Sequence, residues 1–331
     1  MSDSNLNFWF KIWIAASVAM LPLTALFWLL PLDLNLLMPF YDPSRPLLAW
    51  PGEYFWFWQF LYRGAPAAVI LIVVLTLGRL AWASYAPSPA HLRQAFGANV
   101  LLLTLIVGPG LLINGVFKEN WGRPRPRQVV ELGGPQAYVP PLQWGSGGKS
   151  FPCGHCSVGF SLLALAVVAS PAYRLPWVLL ALGLGALIGV SRMAAGAHFA
   201  SDVLWAAYLT FTATLLVYRL LPKSGQVGRW SLPLYVLGAA GGLAGALLAT
   251  PFHQNIYQED AQGGRALLRL ESEFGDMVVQ VRAQPSLTLQ VNARGFGWPF
   301  NSVQLTPTAA GYQLTRHGWF TELSGQWLIL L

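Results

Sequence analysis

Residues 97–117 read GANVLLLTLIVGPGLLINGVF and contain no charged side chain. A helix of about 20 apolar residues is long enough to cross the hydrocarbon core of a bilayer. Of the 331 residues, 55% are hydrophobic and 10% are charged. A soluble domain carries roughly 25% charged residues. A water-soluble fold with so few charges could not cover its own surface, so the sequence predicts that the bilayer is the solvent.

Six further apolar stretches accompany this one, which predicts an all-α polytopic membrane bundle of six to seven helices in residues 1–250. The predicted spans are Phe8–Leu32, Gly64–Tyr85, Gly97–Phe117, Ser157–Ser170, Pro176–Val190, Phe199–Leu221 and Leu232–Thr250. The fourth is short and crosses only if its polar start lies in the membrane interface. The first is longer than a signal-peptide core and has no clear cleavage site, so we expect it to be retained.

An aromatic stretch, YFWFWQFLY at Tyr54–Tyr62, separates the first two spans and is too short to cross. Trp and Tyr favour the headgroup level, so the stretch predicts an interfacial helix. A partly buried turn packed on the bundle fits the same residues.

The distribution of basic residues predicts the orientation. With the N-terminus in the cytoplasm, the inner segments carry Lys11, Arg79, Arg93, Arg174, Arg219, Lys223 and Arg229, as the positive-inside rule requires. The opposite segments also hold cations, namely Lys118, Arg123, Arg125, Arg127, Lys149 and Arg192. The net charge of +7 alone fits nucleic acid or anionic lipid, but this clustering predicts an anion site and no nucleic-acid partner.

The composition changes after Thr250. Short segments alternate or carry Val, Leu and Thr between Gly, Pro and Asn, which predicts β-strands. They are Arg265–Ser272, Asp276–Arg282, Ser286–Asn292, Ser302–Thr306, Gly311–Thr315 and Gln326–Leu331. We therefore expect residues 251–331 to form a small β-rich soluble domain outside the cytoplasm.

Three clusters of polar residues lie at junctions that this topology places on one face. The first is KENWGRPRP, in which Lys118, Arg123 and Arg125 predict a site for a multiply charged oxyanion. A basic patch attracted to anionic headgroups would explain the same cations.

The second cluster is FPCGH at 151–155, which opens the fourth span. There a helix N-terminus favours anions, Gly154 permits close approach, and His155 is a candidate proton donor or an interfacial residue bonded to backbone.

The third cluster combines Ser191 and Arg192 with His198 and Asp202. The last two are four residues apart, which predicts that they share a helix face. A carboxylate bonded to one imidazole nitrogen leaves the other free to attack, so the pair predicts an oriented nucleophile. A purely structural His–Asp bond would fit the same spacing.

Together the clusters resemble the signature of the type 2 phosphatidic acid phosphatase superfamily, K-x6-R-P … P-S-G-H … S-R-x5-H-x3-D. The first and third parts match at every defined position and the second at three of four, over Lys118 to Asp202. The resemblance implies a metal-independent phosphatase without cofactor, in which His198 attacks phosphorus and Asp202 orients it. By the same resemblance His155 protonates the leaving oxygen. The implied phosphate-binding residues are Lys118, Arg125, Ser191, Arg192, Cys153 and Gly154.

Cys153 stands where the family has serine, and a thiol is the weaker hydrogen-bond donor. With Cys156 it forms a C-x-x-C, which predicts either a redox pair or two small packed thiols.

The predicted substrate is a phosphorylated membrane lipid: lipid A, undecaprenyl diphosphate or phosphatidylglycerol phosphate. Residues in this arrangement also fit a lipid phosphotransferase. A membrane thiol–disulfide oxidoreductase centred on Cys153 and Cys156 would leave the cations and His198 unexplained. A lipid-binding protein with an inactive site fits the departure at Cys153.

We expect a multi-pass protein of the bacterial inner membrane, with the site and the C-terminal domain facing the periplasm. The sequence identifies no protein partner.

Overall fold

The computed structural model describes residues 3–45, 48–145, 148–221, 240–241, 244–245, 247, 250–260, 269–272, 277–282, 287–308 and 311–330. The chain divides into two compact units, Met1–Gly245 and Ala246–Leu331. The first is helical and the second is built of β-strands. The predicted fold class is therefore confirmed.

Nine α-helices lie within the described residues up to Leu221 of the helical unit. They are α1 Asp3–Leu29, α2 Leu32–Asn35, α3 Trp56–Tyr85, α4 Pro89–Leu105, α5 Lys118–Asn120, α6 Gly154–Phe160, α7 Leu163–Val168, α8 Pro171–Ala194 and α9 Ala200–Leu220. A π-helical segment, Ile106–Phe117, joins α4 to α5. Short 3-10 helices cover Met38–Phe40, Pro51–Glu53, Pro126–Gln128 and Val130–Leu132.

Five helices in the described part are long and apolar enough to cross a membrane. They are Ser4–Leu29, Trp56–Tyr85, Pro89–Asn120, Pro171–Ala194 and Ala200–Leu220. Their outer faces carry large apolar side chains, for example Leu21 at 72% and Leu29 at 78% exposure. Large contiguous apolar surfaces mark membrane or protein contacts in a folded chain. Lipid contact explains these faces.

The predicted fourth span is broken into α6 and α7. These helices nevertheless run through the bundle from end to end. At the start, the Cys153 amide donates to the carbonyl of Asp202 near the beginning of α9. At the far end, Asn5 donates both to the Val167 carbonyl and to the Tyr218 hydroxyl near the end of α9. Together, α6 and α7 therefore extend from the end of the bundle at which α9 begins to the end at which α9 finishes.

Residues 56–62 form neither a separate short helix nor a turn. Trp56 begins a continuous 30-residue helix that passes through Gly64 and Pro66 and ends at Tyr85. The third span also begins earlier than predicted, because the Ser88 hydroxyl accepts from the His91 amide and caps α4. The predicted seventh span, Leu232–Thr250, lies mostly outside the described residues.

The β unit contains β1 Thr250–Asp260, β2 Arg269–Ser272, β3 Met277–Arg282, β4 Leu287–Gly297, β5 Ser302–Thr308, β6 Gly311–His317 and β7 Phe320–Leu330. One sheet has the order β1-β4-β7-β3 and the other β2-β6-β5. The six predicted strands correspond to β2–β7, whereas β1 was missed. Gln254 explains the omission: it faces inward from β1 and bonds both backbone groups of Val303, which breaks the apolar alternation.

Candidate active site

The imidazole of His198 lies in the connection that precedes α9 and is 1% exposed. Its Nδ1 is 2.6 Å from the backbone carbonyl oxygen of Ser150. A carbonyl only accepts hydrogen bonds, so Nδ1 carries the proton in this contact. The neutral ring then keeps a lone pair on Nε2, which is the form a nucleophile needs.

Asp202 lies within ion-pair distance of this imidazole, as the spacing predicts, but it is not the nearest partner of Nδ1. The distance from His198 Nδ1 to Asp202 Oδ2 is 3.7 Å, because His198 precedes the helix rather than sharing one of its faces. Asp202 Oδ2 instead accepts from the Ser150 hydroxyl at 2.6 Å and from the Phe199 amide at 2.8 Å. The carboxylate thus caps α9 and positions the nucleophile through Ser150.

Arg123 does not belong with the phosphate-binding cations, contrary to the interpretation of the first cluster. Its guanidinium is fully buried and donates to Asp202 Oδ1 and, at 2.8 Å, to Asp33 Oδ2. Burial alone would lower the pKa of Arg123, but the two carboxylates hold that pKa above its usual value. Arg123 is therefore the cation of a buried ionic network.

Asp33, which lies outside all three sequence clusters, is the second carboxylate of this network. It is fully buried, and its oxygens accept from the Ser201 amide and hydroxyl and from the Tyr138 hydroxyl. An ionisable residue inside an apolar run, here LPLDLNLL, is a signal that could have revealed it. Asp33 stabilises the position of Asp202 through Arg123, which donates to both carboxylates.

Lys118, Arg125 and Arg192 are buried as well, at 3%, 5% and 4% exposure. Among the described buried side chains, four are Lys or Arg and two are Asp. Arg123 lies between both carboxylates, whereas the other three cations are the ones that the motifs assign to phosphate. Lys and Arg side chains are rarely buried, and their N–H groups suit a multiply charged oxyanion.

The second cluster begins α6 beside the nucleophile. Cys153 and Cys156 are fully buried free thiols, and the Cys156 thiol donates to the Cys153 carbonyl. Burial raises the pKa of the Cys153 thiol, but hydrogen bonds from Cys156 and nearby positive charge, including Arg192, lower it to about 6. Gly154 packs closely against the π-helical segment, since a Cβ would lie 2.4 Å from Asn114 Oδ1 and that side chain would have to shift.

Tyr62 of α3 connects two of the predicted site residues and was also missed. Its ring centroid is 5.0 Å from that of His155, and the guanidinium carbon of Arg192 lies 4.2 Å from it. The structure therefore brings the candidate acid and one candidate phosphate ligand together around a single aromatic ring.

Ser191 and Arg192 lie in the last turn of α8 rather than outside the span. The Ser191 hydroxyl donates to the Ile188 carbonyl at 2.7 Å, so its proton is used within the helix. Its predicted contact with phosphate stays a prediction. The assignment of Lys118 and Arg125 to phosphate rests on the motif and on their burial, and it also stays a prediction.

The connection from α8 to α9 is tightly fixed by the turn around Pro51–Glu53. Gly196 has φ +60°, and a Cβ there would lie 2.5 Å from the Trp50 ring. A Cβ on Gly52 would lie 2.4 Å from the Ala195 amide nitrogen. Arg127 donates to the Ala195 carbonyl and forms an ion pair with Glu53. This clamp holds the backbone that carries His198.

Candidate metal ligands do not cluster around these residues. Within the ranges that the structure describes, no group of three or more His, Cys, Asp or Glu could hold a metal ion.

Comparison with known proteins identifies the family of the segment around these residues. Residues 98–226 match the PAP2 superfamily. This segment is a PAP2 superfamily domain. The PAP2 domain contains every predicted site residue from Lys118 to Asp202, whereas Asp33, Trp50 and Tyr62 precede it.

The PAP2 segment is similar to curated lipid A phosphatases. It is 35% identical over 130 residues to the lipid A 4'-phosphatase of Francisella tularensis subsp. novicida, covering 38% of this chain and 59% of that protein. It is 35% identical over 132 residues to the lipid A 4'-phosphatase of Rhizobium leguminosarum, covering 38% and 55%. The lipid A 1-phosphatase of Rhizobium etli is 28% identical over 158 residues, covering 45% and 65%. The chain thus spans less than two thirds of the length of these relatives. No solved structure gives a significant match.

Proposed function

We propose that this chain is a multi-pass membrane phosphatase that hydrolyses a phosphate ester of lipid A or a related envelope lipid, with His198 as nucleophile. The observation that carries the proposal is the 2.6 Å contact from His198 Nδ1 to the Ser150 carbonyl. In the neutral ring this contact places the lone pair on Nε2, in a buried site to which three cationic side chains are assigned.

The reaction then follows in two steps. Nε2 of His198 attacks phosphorus, an N–P bond forms, and the P–O bond to the lipid breaks. His155 gives its proton to the leaving lipid oxygen. Water next attacks the phosphohistidine with His155 taking a proton, and inorganic phosphate leaves with the imidazole restored.

Charge stabilisation in this scheme comes from the chain itself. Lys118, Arg125 and Arg192 are assigned to the equatorial phosphate oxygens, together with the amide of Gly154 and, more weakly, Cys153 and Ser191. Phosphoryl transfer depends mainly on positioning and on neutralising the oxygens. Three cations supply that charge, so we propose a reaction that needs neither metal nor cofactor.

The names of the relatives favour lipid A among the three candidate lipids, without deciding between its 1- and 4'-phosphates. The basic residues of the short loops favour the bacterial inner membrane with the site and residues 251–331 in the periplasm. Full burial of Cys153 and Cys156 disfavours the thiol–disulfide oxidoreductase, because exchange requires a partner thiolate to reach a sulfur.

The test is phosphate release from a panel of lipids by the purified protein in detergent micelles. The panel contains lipid A, undecaprenyl diphosphate, phosphatidylglycerol phosphate and phosphatidic acid. We expect His198→Ala to lower turnover by at least ~10⁴-fold. His91→Ala is the matched control, because its Nδ1 makes the same contact, 2.6 Å from the Ala86 carbonyl, outside the site.

The controls also distinguish a lost nucleophile from a lost fold and hydrolysis from transfer. His91→Ala should retain wild-type turnover, and loss in both variants would indicate a folding defect instead. Turnover by His198→Ala at the wild-type rate would refute the mechanism. Disappearance of substrate with phosphorylated lipid acceptor as product, and no free phosphate, would identify the phosphotransferase.

A further inference from the structure

A row of aromatic side chains leads from the protein surface toward the nucleophile. Trp144 stacks on Trp121 with ring centroids 4.4 Å apart and an interplanar angle of 18°. Trp121 in turn contacts Phe151 at 5.2 Å. Phe151 follows Ser150, whose carbonyl contacts His198, so the row reaches the residue next to the one that holds the imidazole.

The outer member of the row is held in place but open on one side. Trp144 is 65% exposed although Trp121 covers one of its faces. The Gly145 amide donates to the Trp121 carbonyl at 2.9 Å. Two residues before Trp144, Leu142 has φ +65°, a conformation that a branched side chain rarely adopts. Strain of this kind persists where the surroundings enforce it, and it is concentrated at ligand sites.

An exposed ion pair is close to Trp121 along the chain, since Glu119 precedes it by two residues. Glu119 and Lys149 form an ion pair and are 44% and 33% exposed. The indole nitrogen of Trp121 is buried and has no hydrogen-bond acceptor among the described residues.

From these contacts we infer that the stacked Trp144–Trp121 pair, with Glu119 and Lys149 at its edge, binds the sugar ring that carries the substrate phosphate. A pyranose presents an apolar C–H face and a rim of hydroxyls, and this surface offers a matching flat face and polar rim. The inference rests on the proposed phosphatase function and adds a headgroup subsite to it. A diacylglycerol phosphate has no ring to stack here.

An indole this exposed in a membrane protein also fits a simple interfacial anchor. The contact of Trp121 with Phe151, which is the chain neighbour of Ser150, favours the substrate because Ser150 holds His198. Removal of an anchor would change the turnover of all lipid substrates to the same extent. Removal of a sugar subsite would change the turnover of glycolipids alone, and the experiment measures this difference.

The experiment compares two purified substrates in mixed micelles, lipid A and phosphatidic acid, with Trp144→Ala, Trp144→Phe and wild type. We expect Trp144→Ala to raise KM for lipid A by roughly tenfold, with kcat nearly unchanged and phosphatidic acid turnover altered less than about twofold, as the loss of one stacking contact predicts. Trp144→Phe should restore most of the affinity. Trp56→Ala is the control, since Trp56 is 70% exposed but outside the row.

Equal losses for both substrates, or no change for either, would overturn the inference. Lipid binding to the His198→Ala protein, which needs no turnover, tests the subsite independently of the proposed reaction. If Trp144→Ala weakens lipid A binding there without weakening phosphatidic acid binding, the subsite stands even where turnover fails. If turnover is normal and the binding preference is absent, the phosphatase stands and the subsite is wrong.

Discussion

Replacing Asp33 tests whether a residue far from the signature motifs supports the active site. In Asp33→Ala the guanidinium of Arg123 loses one of its two carboxylates, and the Ser201 amide and hydroxyl lose their shared acceptor. All of these groups are buried. Removing one partner of a buried ion pair costs about 3–5 kcal/mol, because the remaining charge is left uncompensated.

The Asn variant separates charge from shape. Asp33→Asn keeps the volume and one oxygen, which can still accept from the Ser201 amide at 2.9 Å. The loss is then that of hydrogen bonds to a charged group, about 1.5–3 kcal/mol. Asp42→Ala removes an exposed carboxylate further along the same connection and should not change the free energy of unfolding measurably.

The measurement is the free energy of unfolding, obtained by titrating mixed micelles with sodium dodecyl sulfate and following circular dichroism. Turnover is measured in parallel below the transition. We expect the order of stability to be wild type and Asp42→Ala first, Asp33→Asn next and Asp33→Ala last. An Asp33→Ala protein within about 0.5 kcal/mol of wild type would refute the reasoning, since that is the range of neutral surface changes.

Three further measurements concern the site itself. Asp202→Asn should lower kcat less than His198→Ala does, because the Ser150 carbonyl still fixes the imidazole tautomer; equal losses would show that the carboxylate acts directly. The kcat/KM of Cys153→Ser relative to wild type should increase as pH rises through about 6, because the pKa of the Cys153 thiol is lowered to about 6 and the thiolate then formed repels phosphate. A ratio of the two kcat/KM values that stays constant across that pH range would contradict the predicted increase. EDTA should leave the rate unchanged while vanadate inhibits, and activity lost in EDTA and recovered with a divalent ion would establish a metal requirement.

The sequence predicted the elements whose signal is local. Apolar length indicated the long helices, alternation indicated six strands, and the three motifs located the candidate site. Pairing between distant residues was not predictable in the same way. A count of cations within KENWGRPRP cannot show that Arg123 turns toward Asp33 and Asp202.

Contacts to the main chain could not be predicted from the sequence either. The decisive hydrogen bond of His198 goes to a backbone carbonyl, which every residue possesses, so the identity of Ser150 gives no warning of it. The spacing of His198 and Asp202 predicted proximity correctly but the wrong geometry, because the helix begins between them at Ala200. Tyr62 was grouped with an aromatic stretch, and its role depends on α8 and α6 packing against α3.

The turn around Pro51–Glu53 limits how this chemistry can be moved to another protein. A fragment that starts at residue 98 would contain every signature residue, yet it would lack the Trp50 ring and the Glu53 carboxylate that fix the backbone before His198. Grafting the signature region onto a foreign N-terminal half would leave that backbone without its support. The smallest transplantable unit therefore begins upstream of Trp50, and chimeras joined later should assemble the motif without assembling the catalyst.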